Sequence, residues 1–136
     1  MQVPLSRVVA GVMNWGSWGA KLSTAAMADL ISACVERGVT SFDHADIYGD
    51  YTTEGQWGAA FMHSGVRRED IQLVTKCGIM MPASARPDIS GKHYNTSNAH
   101  IVASVENSLR ELRTDYIDLL LIHRPSPLMD LSLIHI

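Results

Sequence analysis

Four side chains carry the chemistry that can be read in this sequence: Asp43, Tyr48, Lys76 and His123. Asp43, Lys76 and His123 each come directly after an apolar run. In a parallel sheet the ends of such runs lie on one face, where barrel and doubly wound enzymes build their active sites. Residues far apart in the chain therefore converge there, and Tyr48 lies in the loop that follows Asp43. A phenol has an ordinary pKa of about 10 and is a weak acid at neutral pH. An adjacent ammonium favours the phenolate and eases proton donation. Asp43 would keep Lys76 charged and in position, and His123 could hydrogen-bond a substrate oxygen. Such a group has a proton donor and a polarising donor, but no nucleophile and no metal set. It suits carbonyl reduction when a hydride donor binds alongside. Any one of the four alone reads as the first solvated residue of a loop. Their compatibility argues otherwise, because buried Lys and Asp are rare without partners and here each could serve the other.

The elements that must position these residues alternate in type. Arg7 to Met13 predicts a strand, closed by Asn14, Trp15 and Gly16. Ser23 or Thr24 caps a helix with apolar positions Met27, Leu30, Ile31, Cys34 and Val35, and Gly38 stands at its C′ place. Val39 to Phe42 predicts a second strand, and Glu54 to His63 a short helix with Trp57, Phe61 and Met62 available for packing. Ile71 to Thr75 predicts a third strand, and Cys77 to Thr96 a long loop. Ser97 opens a helix with the stripe Ile101, Val105, Leu109 and Leu112. Tyr116 to Ile122 predicts the fourth strand, and Arg124-Pro125-Ser126-Pro127 forces a loop. The order βαβαβαβ implies an α/β fold. Its strands should be parallel, adjacent in chain order and joined by right-handed helical crossovers.

Composition narrows the function classes. The chain has 136 residues, 46% apolar and 18% charged, which suits a globular domain rather than a disordered one. Its net charge of −3 implies no basic face, so nucleic acid and anionic membrane are poor partners. The longest run free of Asp, Glu, Lys and Arg is 13 residues, too short to span a bilayer. Cys34 and Cys77 make neither a disulfide framework nor a metal quartet, and a reducing, cytoplasmic setting is the simplest reading. Gly11 and Gly16 resemble half of a phosphate loop, but Ser17 stands where that loop needs Lys, and there is no GxGxxG. His44, His63, His93 and His100 read as surface or structural residues, and Cys77 as a small buried packing residue. Arg67 to Asp70 reads as a solvated turn. Trp15 and Trp18 could line a substrate pocket or cover the mouth of a barrel.

The segments FDHADIYGDY (42–51), VTKCG (74–78) and SLRELRTDYIDLLLIHRP (108–125) resemble the aldo/keto reductase family. The likeness is greatest to bacterial oxidoreductase members and runs from about Leu5 to Asp130. It implies a (β/α)8 TIM barrel that uses NADPH to reduce an aldehyde or ketone to an alcohol. It places the family's four catalytic positions on Asp43, Tyr48, Lys76 and His123. It also implies that Met13, Asn14 and Trp15, together with Asp43, meet the nicotinamide end of the cofactor.

A complete barrel takes about 250 residues, so the four strands read here form its N-terminal half. The domain is expected over 1–130. The apolar tail at 131–136 resembles nothing at this place in the family and reads as foreign or misassembled sequence. The first functional expectation is the catalytic half of an NADPH-dependent reductase acting on a small carbonyl substrate, inactive as this stretch alone. The alternative is a non-catalytic half-barrel that only assembles with another half.

Overall fold

The computed structural model describes residues 4–125. Four short strands form one sheet: β1 (Val9–Gly11), β2 (Ser41–Asp43), β3 (Gln72–Cys77) and β6 (Leu119–Ile122), in the order β1-β2-β3-β6. Every pair is parallel, with Gly11 opposite Asp43, Asp43 opposite Val74, and Val74 opposite Leu119. Helices α1 (Thr24–Glu36), α3 (Thr53–Phe61) and α4 (Asn98–Leu112) make the three crossovers. The parallel order expected from the sequence is therefore present.

Local chemistry accounts for the helix ends. The Ser23 hydroxyl accepts from the Ala26 N–H at 3.2 Å, and the Ser97 hydroxyl accepts from the His100 N–H at 3.3 Å. Both satisfy N–H groups that a helix start leaves unpaired. Gly38 follows α1 with φ of 77°, a conformation that costs glycine little. Between β2 and α3 a single turn, α2 (Tyr48–Tyr51), carries Gly49 and Asp50 at φ of 62° and 56°. This turn brings Tyr48 back over the sheet.

Alternation divides the sheet into two faces. Phe42, Leu73 and Thr75 face the helices and are almost fully buried. Phe42 packs on Trp57, and Trp57 stacks on Phe61 with ring centroids 5.0 Å apart. Met27, Ile31 and Leu112 complete this core. The other face carries Gly11, Asp43, Val74, Lys76, Leu119 and Leu121. Leu121 is 39% exposed there, an unusual state for a strand leucine.

Four expectations need correction. Cys77 to Thr96 is not all loop: β4 (Ile79–Met80) pairs antiparallel with β5 (His93–Tyr94), strands too short for a periodic signal. Arg67 to Asp70 is not wholly solvated. Arg67 pairs with Asp70 in the open, but Arg68 reaches inward to Asp118 at 2.6 Å and to the carbonyls of Ile71 and Tyr116. Asp118 also accepts the Leu73 N–H, so this pair ties β3 to the approach to β6. The buried face of α4 is Ile101, Ser104, Ser108 and Leu112, whereas Val105 and Leu109 line an open groove against β6. Finally, Asp43 closes β2 and Lys76 lies inside β3, rather than each following its strand. The expected domain limit at 130 and the tail at 131–136 lie outside the described residues.

Candidate active site

The sheet places Asp43 as the last residue of β2, Lys76 one residue before the end of β3, and His123 just past β6. Lys76 is the centre of the group. Its Nζ donates to the Asp43 carboxylate at 2.7 Å, to the His44 carbonyl at 2.7 Å and to the Tyr48 hydroxyl oxygen at 3.1 Å. An ammonium has three N–H donors, and here each has an acceptor. Because the Tyr48 oxygen accepts from Lys76, the phenol hydrogen is free to donate elsewhere. The His123 ring stands edge-on to Tyr48 with centroids 6.2 Å apart. Its Nδ1 is buried and has no hydrogen-bond partner among the described residues. Burial lowers the His123 pKa, and the Lys76 ammonium lowers it further. The ring is therefore neutral at pH 7 and can still donate one N–H.

The remaining sequence candidates fall in different places. Met13 and Asn14 are exposed in the loop after β1, beside the same end of the sheet. Trp15 turns its edge onto Phe42 at 6.3 Å and packs with the core. Trp18 lies beside the Tyr48 ring, with centroids 6.3 Å apart, and keeps 36% of its surface open. Cys77 is buried, which pushes its thiol up to about 11. That makes it a packing residue, not a nucleophile. His63 and His93 are exposed and bond to nearby carbonyls, those of Ala59 and Gly91. Among the described residues no cluster of His, Cys, Asp or Glu is arranged to hold a metal ion. Nor is any described helix long and apolar enough to cross a membrane.

The sequence reading named His44 only as a surface or structural residue and missed the buried carboxyls of Asp46 and Glu54 behind this group. His44 is fully buried with its ring edge-on to Trp57, and burial followed by the nearby Lys76 charge drops its pKa to about 3. Asp46 accepts from the Ser104 hydroxyl at 2.8 Å, and burial raises its pKa to about 6. Glu54 accepts from Thr75 at 2.6 Å and from Ser108 at 2.8 Å, and burial raises it to about 7. A signal for Glu54 existed: a charged residue on the same helical face as Trp57 and Phe61.

The profile of the Aldo/keto reductase family matches residues 7–134. The chain belongs to the aldo/keto reductase family. Among curated relatives, the uncharacterized oxidoreductase YcsN of Bacillus subtilis is 54% identical over 125 residues, which cover 92% of this chain and 41% of YcsN. The 6-dehydroglucose reductase of Agrobacterium fabrum is 46% identical over 129 residues, covering 95% of this chain and 43% of that protein. The holo form of aldo-keto reductase AKR11C1 from Bacillus halodurans superposes with a TM-score of 0.70 at 32% identity, covering 88% of this chain and 36% of that one. This aldo/keto reductase chain thus spans about two fifths of its curated relatives. Its parallel β/α units correspond to part of a (β/α)8 barrel.

Proposed function

We propose that this chain carries the catalytic half of an NADPH-dependent oxidoreductase that reduces an aldehyde or ketone to an alcohol. The observation that carries the reading is the Lys76 ammonium, fully engaged by Asp43, the His44 carbonyl and Tyr48. That arrangement leaves one phenol proton directed away from its own support. A substrate carbonyl oxygen accepts it, with a neutral His123 as second donor. As the proton leaves, Lys76 stabilises the negative charge that develops on the Tyr48 oxygen. Asp43 balances Lys76 and fixes its place. A reduced nicotinamide, when bound, supplies the hydride that the carbonyl carbon gains. Met13, Asn14, Trp15 and Asp43 are the residues of this chain that would meet its ring end. The part-exposed ring of Trp18 beside Tyr48 fits a ligand at this mouth.

The test is Tyr48→Phe in a chain extended to the length of its relatives. Carbonyl reduction should fall by about 10²- to 10⁴-fold in kcat, the range for loss of a general acid, while NADPH still binds. Retained turnover would show that Tyr48 is not the acid. The 136-residue chain alone is expected neither to bind NADPH tightly nor to turn over. Fluorescence titration with NADPH and an absorbance assay with an aldehyde check this. Micromolar binding by a monomer would contradict it, and binding seen only in a dimer would show that two copies can close one barrel.

A further inference from the structure

Behind Lys76, on the helix side of the sheet, lies a buried polar system that the reaction does not touch. Ser104 and Ser108 sit one turn apart on α4, and each donates to a different buried carboxylate. Ser108 binds Glu54 on α3, and Glu54 also takes the hydroxyl of Thr75 on β3. Ser104 binds Asp46, whose own N–H donates to the Lys76 carbonyl at 3.0 Å. Thr75 immediately precedes Lys76, and their side chains leave opposite faces of the strand. Fixing the Thr75 hydroxyl therefore fixes the peptide from which Lys76 departs. The Lys76 peptide is held on one side by Thr75 and Glu54 and on the other by Asp46.

Glu54 is an odd choice for a mere filler. It is 3% exposed, and both carboxyl oxygens are hydrogen-bonded by side chains from two other elements. Near the start of a helix a glutamate ordinarily caps or meets the dipole in solvent. This one faces inward and joins three elements at a single point. We propose that Glu54 is a positioning residue, which holds the end of β3 through Thr75 so that the Lys76 ammonium meets Asp43, the His44 carbonyl and Tyr48 together. The proposal rests on the reading of Lys76 as the ammonium that serves Tyr48, and its test makes no use of turnover.

The chain has three lysines, Lys21, Lys76 and Lys92, so ¹⁵N-lysine labelling gives a spectrum of three Nζ groups. In the wild-type chain the Lys76 Nζ should exchange slowly and resonate apart from the other two. Glu54→Leu should merge it with the solvent-exchanging lysines, and Glu54→Gln, which keeps an acceptor for Thr75 and a partner for Ser108, should restore it. Thr75→Val removes the linking hydroxyl at nearly constant volume, and it should cause the same loss if Glu54→Leu fails to fold. Asp43→Asn, which disturbs a direct partner of Lys76, marks the size of a full effect. The proposal is overturned if Thr75→Val, or a folded Glu54→Leu, lowers the melting temperature yet leaves the Lys76 signal where it was. That result would make Glu54 structural only, whatever the full-length enzyme does with carbonyls.

Discussion

At the scale of the residue, Lys76 satisfies its charge with three acceptors of different kinds: a carboxylate, a peptide carbonyl and a phenol. The side-chain partners were legible, because residue type and position at strand ends are enough to pair an ammonium with a carboxylate. The carbonyl of His44 was not, since a backbone acceptor leaves no mark on composition. The buried acids also escaped notice, and they have a measurable consequence. Glu54 titrates at about 7 in the fold against an ordinary 4.5, so the folded chain keeps its proton through that window and the unfolded chain does not. Each step up in pH within it favours unfolding, for a total on the order of 3 kcal/mol. Asp46 acts in the same sense between 3.8 and about 6. His44 acts in the opposite sense, because its pKa of about 3 against 6.5 makes stability rise with pH between those values. Above pH 6.5 the loss of the Glu54 proton in the fold lowers stability, while the last protons leaving His44, His100 and His123 in the unfolded chain raise it. The melting temperature of Glu54→Gln should therefore gain on that of the wild type as pH rises from about 6.5 to 8, because only the wild type carries the opposing Glu54 proton. Parallel slopes in thermal melts would show that Glu54 is not the group responsible.

At the scale of the element, α4 shows why periodicity was only half a guide. Its apolar stripe of Ile101, Val105, Leu109 and Leu112 is real, yet the face turned to the core exchanges Val105 and Leu109 for Ser104 and Ser108. Serines read as solvent-facing unless something buried needs their hydroxyls, and here Asp46 and Glu54 do. The close approach of α3 to α4 has its own requirement. A Cβ at Gly58 would lie 2.1 Å from the Glu111 carbonyl oxygen and 3.0 Å from the Leu112 backbone. Both neighbours are main chain, so they cannot swing aside as a side chain would. In an exposed helix Gly→Ala stabilises by up to about 1 kcal/mol, but here the two helices must separate. Gly58→Ala should instead destabilise the chain by roughly 1–3 kcal/mol, as overpacking does. Because α3 carries Glu54, the separation should also weaken its bond to Ser108. Urea unfolding gives the sign directly, and a stabilised variant would show that the helices have slack.

At the scale of the whole molecule, the sheet has one well-made face and one bare face. The helix side holds Trp57, Phe42, Ile31 and Leu73 at 0% exposure. On the opposite side Val9 and Leu121 remain 41% and 39% exposed, although both belong to strands. Among the described residues β1 and β6 each have a single strand partner, so each offers an unpaired edge. Beside β6 a groove of about 500 Å³ runs along Ile101, Val105, Leu109, Leu120 and Ile122. Bare apolar surface and free edges together make association favourable. The 136-residue chain should thus show a mass that rises with concentration when size-exclusion chromatography is coupled to light scattering. Leu121→Lys places a charge on the bare face without entering the helix-side core. It should shift that equilibrium toward monomer, with little change in the melting temperature of the dilute chain. A wild-type chain that stays monomeric at every concentration would mean that this face is covered by some segment of the chain itself.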